Sequence, residues 1–505
     1  MPSSYPGQDF EKMGKELSQP LSFLRTLFLL DAHNHADSDI IYLDVAGTNV
    51  VVLNSYKACI DLLDNRSSIY SGRPRLPMVV ELMGWDKDFV VLPYGNEWKI
   101  RRRLCLQEFP DNGSIRHESE ELQVNRVLLK NLLSDPENYR DHLHYMTGSL
   151  TILVTYGIDI KSKDDPVLEL AATALNALLH ALSPGTFAVD ALPWLKYVPE
   201  WMPGAGFQRK AKQWKELNRR LNHEPFEMVK EQMEKGSARP SFVSNALTRL
   251  QEDPEGCGYT EEEVMNTATT MYEGGTDTTW TGLLTFILAM TLHPECQRKA
   301  QTEIGRIVGE GRLPDHSDRD ALVYVQAVIH EVQRWQPITP TAIVHHVNVE
   351  DEYRGYRIQR TQLSSQMSGG FRCPSLVLVT HEGVFVLFRA ILHDEEMYPD
   401  PYTFNPERWI KDGQIDPDIR DITASFGFGR RICPGRLLAL SSLYLTIATI
   451  LSVFNISKAT DENGVAIEPR VEYSSSVQNR PLPFKCSIKP RSEAHERLIN
   501  ELAEH

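Results

Sequence analysis

The chain of 505 residues has no excess of positive charge, no Cys-x-x-Cys pair and, ahead of residue 39, no apolar run long enough to cross a bilayer. Lys and Arg number 53 against 68 Asp and Glu, a formal net charge of −15. That balance excludes the basic footprint of a nucleic-acid binder. The seven cysteines (59, 105, 257, 296, 373, 433 and 486) are odd in number and scattered. They build neither a disulfide framework nor a zinc ribbon, and they fit a reducing compartment, the cytosolic side of the cell. The first apolar stretch, Leu21–Leu30, contains Arg25 and is about half the length of a membrane span. Met1–Pro20 is polar, and residues 1–38 read as a segment with neither a signal peptide nor a transmembrane helix. Internal repeats, low-complexity tracts and a dinucleotide fingerprint are also missing, so the chain brings no flavin or nicotinamide site of its own.

What is present is ordinary globular composition, 41% hydrophobic and 24% charged, in a chain long enough to bury a large core without a staple. Residues 40–45 (IIYLDV) and 50–54 (VVVLN) flank Ala46-Gly47-Thr48-Asn49 and predict a β-hairpin. From about 115 to 300 the apolar residues recur with helical period. Pro/Gly punctuation at 183–186, 199–206 and 253–258 reads as loops between helices. Strand patterns return after about 340 and at 471–488. The chain is thus mainly α, with a smaller β portion divided between its two ends.

The densest chemistry lies in Phe426-Gly427-Phe428-Gly429-Arg430-Arg431-Ile432-Cys433-Pro434-Gly435-Arg436, ahead of an apolar helical run from Leu437 to Phe454. Glycines on both sides of one cysteine predict a tight loop to which a bulky group comes close. The arginines and the following helix N-terminus both favour a thiolate. A buried core cysteine beside a turn is the plainer alternative. Glu331 and Arg334 share a helix face at i,i+3 spacing, a pattern that is usually just a surface ion pair. Gly274-Gly275-Thr276-Asp277-Thr278-Thr279 interrupts a helical run with two glycines, at a cost of about 1 kcal/mol each, which predicts either a hinge or a compensating close approach. Trp98 and Arg102 share a face at i,i+4. His33-Asn34-His35-Ala36-Asp37 has metal-ligand chemistry but no third spaced ligand set, and reads as an exposed connector.

Taken whole, Phe426–Arg436 resembles the haem-binding loop of the cytochrome P450 family, F-x-x-G-x-R-x-C-x-G. Glu331-Val332-Gln333-Arg334, Pro406-Glu407-Arg408-Trp409, the [AG]-G-x-[DE]-T-[TS] stretch at 274–279 and Trp98-Lys99-Ile100-Arg101-Arg102 follow the family's other motifs. The resemblance runs from about residue 39 to the end and implies a haem-thiolate monooxygenase domain over 39–505. It implies haem b, with Cys433 as the axial ligand whose thiolate favours O–O cleavage. Trp98, Arg102, His345, Phe426, Gly429, Arg431 and Gly435 would surround the cofactor, and Asp277 and Thr278 would deliver protons. Glu331, Arg334 and Arg408 would form a buried structural charge network.

Electrons would come from a NADPH-dependent cytochrome P450 reductase, steered by Lys99, Arg101 and Arg103. The expected location is the endoplasmic reticulum membrane, on its cytosolic face. Ser68–Pro74, Glu81–Trp85 and Tyr156–Ile158 look like fungal microsomal members of secondary metabolism, including the tryptamine 4-hydroxylase-like group. That implies a small, mostly apolar substrate of terpenoid or indole-alkaloid type, with Phe89, Met271, Tyr272, Ile338, Thr339 and Val477 as pocket positions. Trp194–Met202 would give peripheral membrane contact, or else form an ordinary buried loop.

One departure stands out. Residues 359–389 occupy a place where the family has only about a dozen residues, so roughly twenty are extra. Val377–Phe388 is apolar without a visible partner, and the excess reads as retained intervening sequence or a misassigned gene model, with a real loop insertion as the alternative. Two further readings compete with an active monooxygenase: a folded but catalytically impaired haem-thiolate protein, and an oxygen-independent isomerase or dehydratase.

Overall fold

The computed structural model describes residues 39–45, 48–110, 117–183, 185–358, 383–474 and 477–501. The predicted hairpin forms: β1 (Ile40–Val45) pairs antiparallel with β2 (Thr48–Leu53), Ile40 opposite Leu53 and Val45 opposite Thr48. Val50, Val52 and Leu53 are buried, as β-branched and leucine side chains of a covered strand should be.

The helices of more than ten residues are α1 (Asn96–Glu108), α2 (Glu118–Ser134), α3 (Tyr139–Tyr156), α4 (Pro166–Leu182), α5 (Gly206–Glu234), α6 (Phe242–Glu252), α7 (Glu261–Leu292), α8 (Pro294–Ile307), α9 (Val323–Trp335) and α10 (Arg436–Val453). The loops expected at 183–186, 199–206 and 253–258 separate them.

The short strands β3 (Asp351–Tyr353) and β4 (Tyr356–Ile358) form a hairpin, and β5 (Gly383–Val386) lies parallel to β2, Val50 opposite Gly383 and Leu53 opposite Val386. β6 (Ile410–Lys411) pairs with β7 (Gln414–Ile415), and β8 (Phe454–Lys458) with β9 (Cys486–Pro490). Phe454, which the sequence placed at the end of a helical run, opens β8. Of the expected strand at 471–488 only its end is a strand, together with a bridge at Tyr473.

Residues 383–388 correct the expectation of an unpartnered stretch. Val384 and Val386 are buried against β2, and Phe388 starts a short helix in the same apolar cluster. The remainder of the expected excess, 359–382, lies outside the described residues, as do the 1–38 segment and the His33–Asp37 cluster.

α7 organises the interior. Its N-terminus carries a capping box between Thr260 and Glu263 and three glutamates in its first turn, which satisfy free N–H groups and the positive helix end. At 32 residues it is about 48 Å long. One apolar cluster, from α2, α3, α8, α9 and α10, packs on the C-terminal half of α7. A second, from α1 and α3–α6, packs on its N-terminal half. Among the described residues α10 alone is long and apolar enough to cross a membrane, and 72% of it is buried in the first cluster.

Candidate functional site

Gly274 and Gly275 do not break α7, which runs through them without interruption. Their costs are compensated differently. A Cβ on Gly275 would meet Thr151 of α3 at 3.0 Å, so this glycine sets the approach of the two helices. A Cβ on Gly274 would meet nothing within 4 Å, because it faces a cavity of about 310 Å³.

That cavity is where the distant motifs converge. Trp98 and Arg102 from α1, Gly274, Gly275 and Thr278 from α7, His345, Phe426, Arg431, Cys433 and Gly435 all line it. Of the expected pocket residues, Phe89, Met271, Ile338 and Thr339 line it too, whereas Tyr272 and Val477 do not. Tyr272 is turned by one residue from Met271 and is buried in the second cluster.

The cysteine loop is held from both sides. The Cys433 N–H donates to Phe426 O at 2.8 Å. Gly429 does not line the cavity. Its φ is +56°, and a Cβ there would fall 1.9 Å from Leu63 O, so this glycine is required by the chain's own packing. Behind the loop, Glu331 and Arg334 are fully buried on α9. Arg334 donates to both Glu331 oxygens at 2.8 and 2.7 Å. Arg408 Nε (3.2 Å), the Asn405 N–H (2.9 Å) and Trp409 Nε1 (2.9 Å) complete the carboxylate's shell. Trp409 is a member the sequence did not reveal.

The electrostatics of the wall are lopsided. Arg431 donates to the Ser71, Phe89 and Leu92 carbonyls, and Arg73 to those of Val90, Ile343 and Val344. Neither pairs with a carboxylate among the described residues. Burial pulls the Arg73 guanidinium down to about 9. Burial, with the charges of Arg73 and Arg102, pulls Arg431 down to about 8. His345 gives its Nδ1–H to Tyr70 O at 2.8 Å, and burial beside Arg73 and Arg431 lowers it to about 3. The Trp98 indole N–H is buried without an acceptor, under the Arg431 guanidinium at 4.7 Å. Buried cations and an orphaned donor around one cavity call for an anion. Arg73, which the sequence reading missed, is as much a part of this as Arg431.

Burial pushes the Cys433 thiol up, against the Gly435 N–H and the charges of Arg102 and Arg436. The arginines and the Gly435 N–H at the helix terminus favour the thiolate as expected, but burial outweighs them, and a metal would draw the thiolate out. A cavity with the Cys433 thiol at the loop, Cys105 also in its wall, a largely apolar lining and a cationic edge fits an iron macrocycle with carboxylate arms, so the residues present suit a haem.

Thr278 lines the cavity, its hydroxyl donating to Gly274 O at 2.7 Å. Asp277 lies one residue round the helix and does not line it. It is buried, 2.7 Å from Arg480 Nη2 and 3.2 Å from His144 Nε2. Burial would raise its carboxyl, but His144 and Arg480 outweigh that and hold it below the usual range. Arg480 also stacks on Trp280 at 4.1 Å.

Two surface expectations come out differently. Lys99 and Arg103 are exposed, but Arg101 is 2% exposed and turned to Glu97, so it is removed from the docking face. Trp194, Tyr197 and Trp201 are 58%, 77% and 76% exposed, which excludes the buried-loop alternative for Trp194–Met202.

Comparison with known proteins agrees with this geometry. The model of the cytochrome P450 family matches residues 28–363 and 380–486, leaving 364–379 between the two parts. The chain is 39% identical over 469 residues to Cytochrome P450 monooxygenase 98 of Postia placenta, covering 92% of this chain and 86% of that one. It is 36% identical over 497 residues to a tryptamine 4-monooxygenase of Psilocybe cyanescens, covering 98% and 93%. A zebra fish cytochrome P450 solved with abiraterone superposes with a TM-score of 0.69 at 21% identity, over 94% of this chain and 100% of that one.

Proposed function

The chain belongs to the cytochrome P450 family, as a monooxygenase that needs a redox partner and a haem with thiolate-ligated iron, and on that premise we propose a specific assignment of its residues and substrate. Cys433 is the iron ligand, and Trp98, Arg102, His345 and Arg431, joined by Arg73, hold the carboxylate arms of haem b. Phe426, Gly429 and Gly435 shape the loop beneath it. Bound there, the haem would supply activation of dioxygen, one oxygen atom going into a substrate C–H bond and the other leaving as water with two electrons from the redox partner and two protons. The observation that carries the reading is the convergence of the half-buried Arg73 and Arg431, neither paired with a carboxylate among the described residues, and the buried Trp98 N–H on the cavity that Cys433 lines.

Around that group the chain's own residues have distinct tasks. Gly274 leaves room on the distal side, and Thr278 holds a water by its hydroxyl oxygen at the cavity edge. Asp277 relays protons inward from solvent by way of the half-buried His144, while Arg480 holds its carboxylate in place. Glu331, Arg334 and Arg408 keep the loop's scaffold rigid. The pocket lined by Phe89, Met271 and Ile338 excludes water and takes a small, largely apolar natural product of terpenoid or indole-alkaloid type, as in fungal secondary metabolism. Electrons come from a NADPH–cytochrome P450 reductase that docks near Lys99 and Arg103. The exposed Trp194, Tyr197 and Trp201 rest in the interface of the endoplasmic reticulum membrane, on its cytosolic face.

The test is the carbon monoxide difference spectrum of the dithionite-reduced full chain. A strongly red-shifted Soret band in the wild type, absent in Cys433→Ser, supports the assignment. A band at the imidazole-ligated position, or no haem, overturns it. The break in the family match at 364–379 favours a second reading, a haem-binding but impaired protein. It is distinguished by a normal spectrum without reductase-driven oxygen consumption.

A further inference from the structure

Thr270 of α7 lines the cavity one helical turn before Gly274, about 6 Å along the axis. Its hydroxyl is 3.0 Å from Asp88 Oδ2 and 3.1 Å from Asn266 O. Both partners only accept, so the hydroxyl proton is committed to them and the oxygen is left with lone pairs alone. Elsewhere on the cavity wall Thr147, Thr151 and Thr278 give their protons to helix carbonyls, and the Thr155 hydroxyl has no partner. Thr270 differs in standing against a carboxylate.

That carboxylate is itself unusual. Asp88 is 8% exposed, and its other oxygen accepts the Val90 N–H at 2.6 Å. Glu273, 7% exposed, meets Asp88 carboxyl to carboxyl, and its Oε1 has no partner. Burial, and then the neighbouring Asp88, raises Glu273 well above the ordinary carboxylate range. No Lys, Arg or His ion-pairs with either residue among the described ones. Asp88 is followed by Phe89 and Val90, and Glu273 by Gly274, and these three followers line the cavity. Away from its cationic edge the cavity therefore has, beside Phe89 and Met271, an acceptor-only oxygen with two buried carboxyl groups behind it that no cation pairs among the described residues.

We propose that Thr270, backed by Asp88 and Glu273, anchors a hydrogen-bond donor on the substrate, so that the pocket selects an apolar molecule bearing an ammonium or hydroxyl group and rejects one bearing a carboxylate. The inference rests on the monooxygenase reading and deepens it. It places the donor about one helical turn from the glycine that opens the reacting end of the cavity. An ammonium gains both the hydrogen bond and the charge behind it, a hydroxyl the hydrogen bond alone, and a carboxylate meets lone pairs and like charge.

The experiment uses the haem-loaded full chain and four probes of one shape: dimethyl-2-(1-naphthyl)ethylammonium, 2-(1-naphthyl)ethanol, 1-butylnaphthalene and 3-(1-naphthyl)propanoate. Binding is read by equilibrium dialysis, so that an amine on the iron, visible in the Soret band, is scored separately. The ammonium and the alcohol are expected to bind at least tenfold tighter than the propanoate. Thr270→Val should weaken both about tenfold, leave butylnaphthalene within twofold, and be rescued in Thr270→Ser. Asp88→Asn should narrow the gap between ammonium and propanoate while keeping the alcohol. Equal binding of all four probes, binding of none, or a Thr270→Val effect that butylnaphthalene shares overturns the proposal. A thiolate-type carbon monoxide spectrum in the same preparation shows that such a failure belongs to this inference and not to the haem assignment.

Discussion

Replacing Glu331 by Gln perturbs the scaffold behind the cysteine loop by a single atom exchange. The Glu331 carboxylate accepts from Arg334 twice, Arg408, Asn405 and Trp409, with no solvent access. The amide that takes its place in Glu331→Gln keeps one acceptor oxygen. Placed on the Oε1 side it serves Arg334 Nη2, Arg408 and the Asn405 N–H, and its NH₂ then confronts two donors, Arg334 Nε and Trp409 Nε1. The buried guanidiniums lose the carboxylate they share. Breaking a buried pair costs about 3–5 kcal/mol, and each abandoned donor about 1–3 more. That is a large part of a typical total stability of about 5–15 kcal/mol. The change should appear as a haem-poor, partly aggregated product, with a urea midpoint well below wild type at unchanged slope. Trp409→Phe removes one donor and keeps the ring, so it should lose only about 1–2 kcal/mol and retain haem. A Glu331→Gln chain with full haem content and a wild-type urea midpoint would refute the reasoning, because Arg334 Nε and Trp409 Nε1 have no other acceptor among the described residues.

Further expectations concern glycines and charge. Gly274→Ala meets no atom and gains about 1 kcal/mol of helix propensity, whereas Gly275→Ala must push Thr151 aside and should be neutral to destabilising; thermal midpoints of the haem-free chains compare them, and Gly275→Ala with Thr151→Ala should recover the loss. Gly429→Ala combines φ +56° with a Cβ inside Leu63 O and should give no soluble folded chain, a result checked by expression yield. Glu81, bonded to Arg75 and Lys196, is lowered to about 2, chiefly by the Arg75 hydrogen bond. A depressed carboxyl stabilises above its unfolded value and loses that contribution as pH falls from about 4.5 towards 2. Glu81→Gln should therefore lower the urea-derived stability by about 1–2 kcal/mol at pH 7 and by nothing measurable near pH 2.

What could be read in the sequence was local chemistry. The Cys433 loop, the Glu331–Arg334 turn and the Trp98–Arg102 face each declare themselves within a few residues, and the structure brings them to one cavity and its scaffold. What escaped depends on partners far along the chain. Arg480 reaches Asp277 across 203 positions, and Thr270 reaches Asp88 across 182. Arg73 offers no sign of burial, since a cation before a proline is ordinarily solvated. Arg101 was misjudged for a nearer reason. It is three residues after the inward-facing Trp98, so the helical period already turned it towards the core, and the run of basic residues concealed this. Gly429 has a packing reason, the Leu63 carbonyl beside it, that its own neighbours in sequence do not disclose. At 383–388 the pairing partner is β2, more than 300 residues earlier, which a local pattern could not supply.

The parallel pairing of β2 with β5 has a consequence for how the protein is made. A strand completed within the first 53 residues must wait until about residue 386 has left the ribosome before its free edge is covered. The cavity wall likewise draws on residues from Leu63 to Leu443, and the clamp on Asp277 needs Arg480. During synthesis the early hairpin carries an open edge, and the threaded helix α7 lacks its partners from α10, for most of the time the chain is growing. The pocket is therefore a product of the last stage of translation, and any cofactor it holds can be gripped only by a nearly finished polypeptide.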